Sequence, residues 1–204
     1  MSGFDSLLAK SLDRTIRNNL GEKTIHAIEE RLFQKYGISI TQAILEFHKL
    51  DEVLREFFGD GANSLERKLL ENSCKLKSKN KEQNWLLIKD DNVNKIIMEA
   101  FGDEDKFNIL KAVSKDSKII SDILLETKVP QTSGYRKINS LINNGLLVQD
   151  GFIFFQNNPR KVAKYRTLFD NTKIDIIKNT IMIQVQMARP KFNGSTVLQI
   201  ICEN

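Results

Sequence analysis

The stretch ETKVPQTSGYRKINSLINNGLL at 126–147 decides the fold expected for the C-terminal half of this 204-residue chain. Pro130 excludes the residue before it from the helical region, so one helix ends there and a tight turn follows. After the turn, apolar residues recur at three- and four-residue intervals, which is typical of a helix with one buried side. The pattern predicts a helix over 131–143 that Gly145 ends. Its buried side is expected to hold Gly134, Ile138, Leu141 and Ile142.

The side of this helix that the apolar pattern leaves exposed is polar and basic. Small hydroxyls at a helix N-terminus allow the backbone amides to approach a phosphate, and Arg or Lys pairs with phosphates or guanine edges. Gln and Asn carry the donor and the acceptor that an adenine edge requires. Taken alone, the helix is equally typical of an ordinary surface helix. The exposed set comprises Gln131, Thr132, Ser133, Tyr135, Arg136, Lys137, Asn139 and Ser140.

Two further helices are predicted before this one. Acidic residues at 103–105 favour a helix N-terminus through the helix dipole, and apolar residues continue this first helix to Val113. Ser117 is the expected N-cap of the second helix, which ends before Pro130. The second helix is expected to bury Ile119, Ile120, Ile123 and Leu124.

The residues that follow the helix predict a β-hairpin. The sequence has a turn signal at Asp150 and Gly151, a polar tip at 156–161, and a returning strand that carries Lys164. Two strands around a basic tip form a wing, which gives a DNA-binding helix a second contact to the backbone or minor groove. Helix, helix, turn, helix and wing in this order predict a winged helix-turn-helix over 103–170.

The positive charge of the chain is concentrated in this region. The formal net charge is +5, yet residues 1–76 have 11 basic residues against 12 acidic ones. Residues 129–168 have six basic residues and a single acid, Asp150. A basic patch of this kind attracts a polyanion, because neutralised phosphates release their counterions.

The quoted stretch resembles the winged helix-turn-helix of archaeal transcriptional regulators related to the arsenic-repressor-like families. It is similar to their pattern T-x-[IV]-P-x-S-T-x-Y-R-x-I-x-x-L-x-x-x-G-L-[LI], and the resemblance covers 103–168. Gly134 departs from the family, which more often has a small aliphatic residue there. The cysteine-rich ligand sets of the metal-sensing members are absent from this sequence, so metal-responsive repression is not implied. The resemblance implies DNA reading by Gln131, Thr132, Ser133, Tyr135, Arg136 and Lys137, and wing contacts by Arg160 and Lys161.

The first 76 residues predict a compact bundle of amphipathic helices. Apolar residues recur at helical spacing up to Leu20, and Gly21 marks the end of that first helix. Further helices of the same kind follow after short connections. The phrases LGEKT at 20–24 and FFGDGANSLERKLLE at 57–71 resemble a small helical domain found before winged helices in archaeal proteins. That resemblance leaves three roles open: an input domain, a dimerisation module or a docking site for a partner.

A linker is predicted between the bundle and the winged helix. The lysine-rich stretch at 73–84 has almost no large apolar residues and contributes little to a core. A short apolar patch at 85–88 then precedes a connector helix, for which Asp91 or Asn92 is the expected N-cap. Residues 77–102 are therefore assigned to the linker and the connector helix.

A β extension is predicted at the C-terminus, over 171–204. The residues alternate in polarity with period two around an expected turn at Lys178 and Asn179, and a further strand-like run covers 196–202. We expect the hairpin either to extend the sheet of the wing or to pair across a dimer.

The sequence predicts no catalytic residue, no cofactor site and no metal site. His26 and His48 have no further ligands at metal-binding spacing, and no nucleophile, base and orienting residue occur together. Cys74 and Cys202 lie far apart without CxxC spacing, so reduced thiols are expected. No apolar run approaches the roughly 18 residues that span a bilayer. With no recognisable signal peptide, we expect a cytoplasmic protein without a membrane partner.

These patterns predict an α+β protein, mainly α, that binds double-stranded DNA and regulates transcription. We expect the helix at 131–143 in the major groove, the wing tip at 156–161 on the backbone or minor groove, and a homodimer, because one winged helix reads a short half-site. The alternative is a protein-interaction module of the transcription machinery without its own DNA specificity. The expected DNA contacts are Gln131, Thr132, Ser133, Tyr135, Arg136, Lys137, Asn139, Arg160, Lys161 and Lys164.

Overall fold

A computed structural model describes residues 3–76, 85–155 and 158–187, without the side chains of residue 10 and of 155–160. Within these ranges the chain is α+β and mainly helical, with antiparallel sheets, as the sequence predicts. The strand expected over 196–202 lies outside the described residues, as does Cys202.

The N-terminal part consists of packed helices. α1 contacts α2, α3 and α5, and its residues Phe4, Leu8 and Leu12 are almost fully buried. The helices that apolar periodicity predicts here are confirmed. Their bounds are α1 Gly3–Leu20, α2 Glu22–Tyr36, α3 Ile40–Leu45, α4 Phe47–Phe58 and α5 Gly61–Glu71.

Helix α3 is the one element of this part that the sequence analysis did not identify. It has 6 residues, too few for the apolar period to be recognised. A capping box starts it: the amide of Gln42 donates to the Ser39 hydroxyl, and the amide of Ser39 donates to Gln42 Oε1 at 3.0 Å. This reciprocal arrangement satisfies two backbone donors that a helix N-terminus leaves free.

The segment predicted to be a linker contributes strands to a four-stranded antiparallel sheet. Neighbouring strands follow the order β1-β2-β6-β5, so β2 lies between β1 and a strand from near the C-terminus. The strands β1 and β2 have three and four residues, and β2 pairs with β6, which lies about 95 residues further along the chain, so no local sequence pattern predicts this sheet. The bounds are β1 Cys74–Leu76, β2 Trp85–Ile88, β5 Asn171–Ile177 and β6 Thr180–Gln186.

The β5–β6 hairpin has the predicted turn but not the predicted neighbour. Lys178 and Asn179 have φ values of 50° and 61°, as a two-residue hairpin turn of the mirror-image type requires. Ile183 and Val185 of β6 are buried. Of the two expectations for this hairpin, the one that it extends the sheet of the wing is wrong, because β6 pairs with β2 on its other edge.

Helix α6 (Asp91–Gly102) follows β2 and packs against β6. Its N-cap is Asp90, which accepts a hydrogen bond from the Val93 amide at 2.9 Å, so the expected caps Asp91 and Asn92 are wrong by one and two residues. Asp90 takes this position because its backbone is extended, as an N-cap requires, while the helix already includes Asp91.

The elements from 104 to 167 follow the predicted order of three helices and two strands. Ser117 does not cap α8, contrary to expectation. The next residue, Lys118, exchanges two backbone hydrogen bonds with Tyr165 of β4, so the chain is extended there and α8 begins after Ile119. The bounds are α7 Glu104–Ala112, α8 Ile120–Thr127, α9 Gln131–Asn143, β3 Leu147–Phe155 and β4 Asn158–Thr167.

The start of α1 packs directly on the turn between α9 and β3. Gly145 in this turn has a φ of 72°, and a Cβ built on it would lie 2.4 Å from the Gly3 carbonyl oxygen. A Cβ on Gly3 would in turn lie 2.0 Å from Val148 Cγ1. Two glycines therefore allow the backbone of the N-terminal helices to touch the end of α9.

Candidate nucleic-acid interface

Helix α9 is fixed at its start by a close contact with α8. Gly134 is buried, and a Cβ built on it would lie 2.3 Å from Leu124 Cδ2 and 3.3 Å from Val129 Cγ1. The left-handed conformation of Lys128 and the extended backbone of Pro130 turn the chain between the two helices. The glycine at 134 thus coincides with a close approach of the two helices.

Five of the seven predicted contact residues on α9 share one exposed face. Gln131, Thr132, Tyr135, Arg136 and Asn139 are all exposed, and their spacing of one, three, one and three residues places them along a single stripe. No acidic residue lies within α9. This stripe of amide, hydroxyl, phenol and guanidinium groups is the outward surface of the helix.

The other two predicted contacts on α9 are engaged within the protein. The Ser133 hydroxyl donates to the Pro130 carbonyl oxygen at 3.1 Å, across the first turn of the helix. Lys137 Nζ lies 2.7 Å from Asp103 Oδ1 and 2.8 Å from Asp105 Oδ2. Both side chains therefore lie on the flank that faces the rest of the protein rather than on the exposed stripe.

The ion pair of Lys137 joins α9 to the N-terminus of α7. Asp103 is also the N-cap of α7 and accepts from the Lys106 amide at 3.0 Å. The Lys137 ammonium is the main cause that holds the pKa of Asp103 below its ordinary value, and the Lys106 amide is the second. The carboxylates of Asp103 and Asp105 in turn raise the pKa of Lys137. Both groups are stabilised in their charged forms, so the pair fixes the distance between the two helices.

A polar depression continues the exposed stripe toward the C-terminal end of α9. Arg136 and Asn139 form one end of it, and three residues that the sequence analysis did not assign as contacts complete it. Each added residue carries a hydroxyl or an amide, groups that bond base edges and phosphate oxygens. The added residues are Ser140, Asn143 and Asn144.

The β3–β4 hairpin lies after this helix and has no acidic side chain between 151 and 169. It is irregular at its base, where the register shifts between Gln149 and Phe152 and Gly151 has a φ of 88°. Lys161 is exposed and Lys164 is half-buried. Residues 156–157 lie outside the described part of the chain, and so does the side chain of Arg160. Of the side chains in the predicted wing tip, the structure therefore describes that of Lys161.

Four cations of α9 and the hairpin lack the acidic partners that many basic side chains have elsewhere in the described part of the chain. Among the described residues, Arg136, Lys161 and Lys164 have no carboxylate within 4.0 Å, and the same holds for Arg166. Arg166 also has a buried Nε without a hydrogen-bond partner. Unpaired cations on an exposed polar surface attract phosphate groups.

Two exposed aromatic residues on the hairpin were missed at the sequence level. Phe152 and Phe154 are 41% and 69% exposed. The signal was available, because residues two apart in a strand share a face, so Phe152 and Phe154 are expected on the same side of β3. The aromatic surface and the unpaired cations thus occupy the same hairpin.

Within the described ranges, no group of three or more His, Cys, Asp or Glu side chains is placed to hold a metal ion. No helix in those ranges is both long enough and apolar enough to cross a bilayer. Comparison with known protein families, curated proteins and solved structures found no match to this chain.

Proposed function

We propose that this protein is a sequence-specific regulator of transcription that binds double-stranded DNA through a winged helix-turn-helix. In this proposal α9 lies in the major groove and the β3–β4 hairpin contacts the backbone or the minor groove. The observation that carries it is the exposed stripe on α9, which combines Gln131, Arg136 and Asn139 without an acid. The unpaired cations of the neighbouring hairpin add a phosphate-attracting surface.

The roles proposed for the individual residues differ. Arg136 and Asn139 are positioned to read base edges, whereas Lys161 and Lys164 contact phosphates. Arg160 belongs to the same backbone contact by its sequence position. Ser133 and Lys137 move from reading to positioning roles in this proposal, because their polar groups already bond Pro130 and the carboxylates at the start of α7.

The proposal includes a homodimer. A single helix of this kind reads a half-site of a few base pairs, and two copies related by symmetry read a site with two such halves. Light scattering on the full chain, with and without bound DNA, should give the mass of two chains. The mass of a single chain in the DNA complex would contradict this part of the proposal.

The deciding experiment is a selection of DNA from a random pool by the full chain. We expect an enriched sequence whose affinity falls as salt rises from 50 to 200 mM, since phosphate contacts release counterions. Arg136→Ala should relax the preference at one position, by about 1–3 kcal/mol of discrimination, whereas Lys161→Ala should weaken all sequences alike. Failure to enrich any sequence would contradict sequence-specific binding, and equal effects of both variants on every sequence would contradict the assigned roles.

A further inference from the structure

The exposed aromatic face of the β3–β4 hairpin has a specific geometry. Phe154 lies opposite Lys161 in the antiparallel register, and Phe152 lies opposite Ala163. Directly opposed residues share a face of the sheet, so the two phenyl rings and the lysine are on the same side. Lys161 Nζ lies 3.6 Å from the centroid of the Phe152 ring.

This arrangement leaves one ring free. The lysine ammonium covers the face of Phe152 in a cation–π contact, whereas Phe154, two residues closer to the hairpin tip, is 69% exposed. An exposed phenyl ring in water is unfavourable, and covering it with another flat apolar surface would stabilise the complex. The charged residues of the sequence from 151 to 169 are all basic.

We propose that Phe154 is a stacking platform for an unstacked nucleobase. A flat aromatic ring beside a cation, on a hairpin whose charged residues from 151 to 169 are all basic, matches the face of a base together with its phosphate, the combination used by proteins that bind unpaired strands. Such a base comes either from a kinked step of a duplex, opened by the ring as a wedge, or from an unpaired segment. This inference rests on the proposed DNA-binding function and adds to it a second substrate feature, the accessible face of a base.

The same geometry predicts different contributions of Lys161 and Phe154 to binding. Lys161 supplies the electrostatic part of binding, which depends on salt, while Phe154 supplies a stacking part, which does not. Loss of the lysine therefore reduces the slope of log affinity against log salt. Loss of the ring weakens binding equally at every salt concentration and leaves that slope unchanged.

The test uses the full chain and three fluorescein-labelled probes: a mixed-sequence 30-base-pair duplex, the same duplex with three unpaired bases at its centre, and a single-stranded oligothymidylate. Fluorescence anisotropy is measured for wild type, Phe154→Ala and Phe33→Ala at several salt concentrations. Phe33 is the matched control, because it is 71% exposed but lies on α2, outside the proposed interface. Circular dichroism melting checks that all three proteins are folded.

We expect Phe154→Ala to weaken binding about 5- to 150-fold, the range that loss of one stacked base produces, with no effect of Phe33→Ala. An equal loss on both duplex probes identifies a kinked duplex step as the source of the base. A loss confined to the probes with unpaired bases identifies an unpaired segment.

The failures of the two proposals are distinguishable. Wild-type binding that Phe154→Ala leaves unchanged on every probe overturns the stacking role and leaves the DNA-binding function standing, with the ring then available to a protein partner. Wild-type protein that binds no probe overturns both proposals.

Discussion

Most described basic side chains of the N-terminal helices are paired with carboxylates, whereas most of those from α9 to β4 are not. On α2 and α4, Arg31 Nε lies 2.6 Å from Glu56, and Lys35 Nζ lies 2.5 Å from Glu52 and 2.6 Å from Glu56. The charges of these helices are neutralised within the molecule. On the outward face of α9 and along the β3–β4 hairpin, Arg136 and Lys161 have no such carboxylates among the described residues.

The difference shows which cations are available to an external partner. A lysine that already bonds two carboxylates gives up those contacts when it binds a phosphate, so its net gain is small. An unpaired lysine loses only its hydration. The position of the acids therefore distinguishes the two regions better than the number of basic residues does.

The largest expected effect comes from breaking the contact that joins the two regions. Gly145→Ala introduces a Cβ 2.4 Å from the Gly3 carbonyl oxygen and 3.0 Å from the Leu7 amide nitrogen, at a φ of 72°. Overpacking against backbone atoms and the left-handed conformation together should lower the free energy of unfolding by about 3 kcal/mol or more. Urea unfolding followed by circular dichroism measures this loss.

Gly151→Ala is the matched control for this variant. Gly151 also has a positive φ, of 88°, but a Cβ there would meet no atom within 4 Å. It should therefore carry only the conformational part of the cost, about 1–2 kcal/mol. Equal losses in the two variants would show that the close approach of Gly3 and Gly145 contributes nothing to stability.

The comparison itself is tested by removing the same charge from each region. Lys161→Gln with Lys164→Gln should weaken DNA binding about 10-fold or more at 50 mM salt and reduce the salt slope by about two. Arg31→Gln with Arg67→Gln removes an equal charge from residues that are paired with Glu56 and Glu71. This control should leave affinity and slope nearly unchanged, as measured by anisotropy across a salt series.

Equal losses in the two double variants would mean that net charge, and not its placement, governs binding. The proposed distinction between the neutralised helices and the unpaired hairpin would then fail, although DNA binding as such would stand.

The sequence predicted α9 with its bounds and the turn at Lys178 and Asn179, because a proline, helical spacing and a two-residue hairpin signal are all local. It did not predict β1 and β2, because β1 is short and β2 pairs with β6, which lies far along the chain. The same limit applies to the site. The outward position of Arg136 follows from helical periodicity, whereas the engagement of Lys137 depends on Asp103, 34 residues away.

A smaller effect is expected at Glu66, an almost fully buried carboxyl of α5. It is 1% exposed, and its Oε1 has no hydrogen-bond partner. Burial is the main cause that raises the pKa of Glu66 to about 8. The nearby Asp51 carboxylate adds to this rise, and Arg55 opposes it. The folded state thus holds a proton that the unfolded state releases near pH 4.5, the ordinary value.

Because the folded-state pKa is raised, the stabilising contribution of Glu66 is complete below pH 4.5 and is lost as pH rises through about 8. Glu66→Gln imitates the protonated form and should remove this dependence. At pH 9 the variant should be more stable than wild type, with little difference at pH 5. Urea unfolding at both pH values measures this, with the exposed Glu71→Gln as control, and identical pH profiles for wild type and Glu66→Gln would exclude a buried proton at this site.

The smallest expected effect distinguishes Lys137 from Arg136, its neighbour on α9. Lys137→Ala removes contacts to Asp103 and Asp105, an ion pair at the surface, and should lower the free energy of unfolding by about 0.5–1 kcal/mol.

Because this lysine is engaged within the protein, its loss should change DNA affinity less than threefold, whereas Arg136→Ala should cost about tenfold. Urea unfolding and anisotropy on the selected sequence give the two numbers for each variant. The pairing also has a pH signature: the lowered pKa of Asp103 means that its stabilisation is present at neutral pH and is lost as pH falls through the folded-state pKa, below the ordinary 3.8. Lys137→Ala could instead weaken DNA binding as much as Arg136→Ala does. The lysine would then leave both carboxylates when the protein binds DNA. An ion pair within the protein would in that case be no guide to which residues contact DNA.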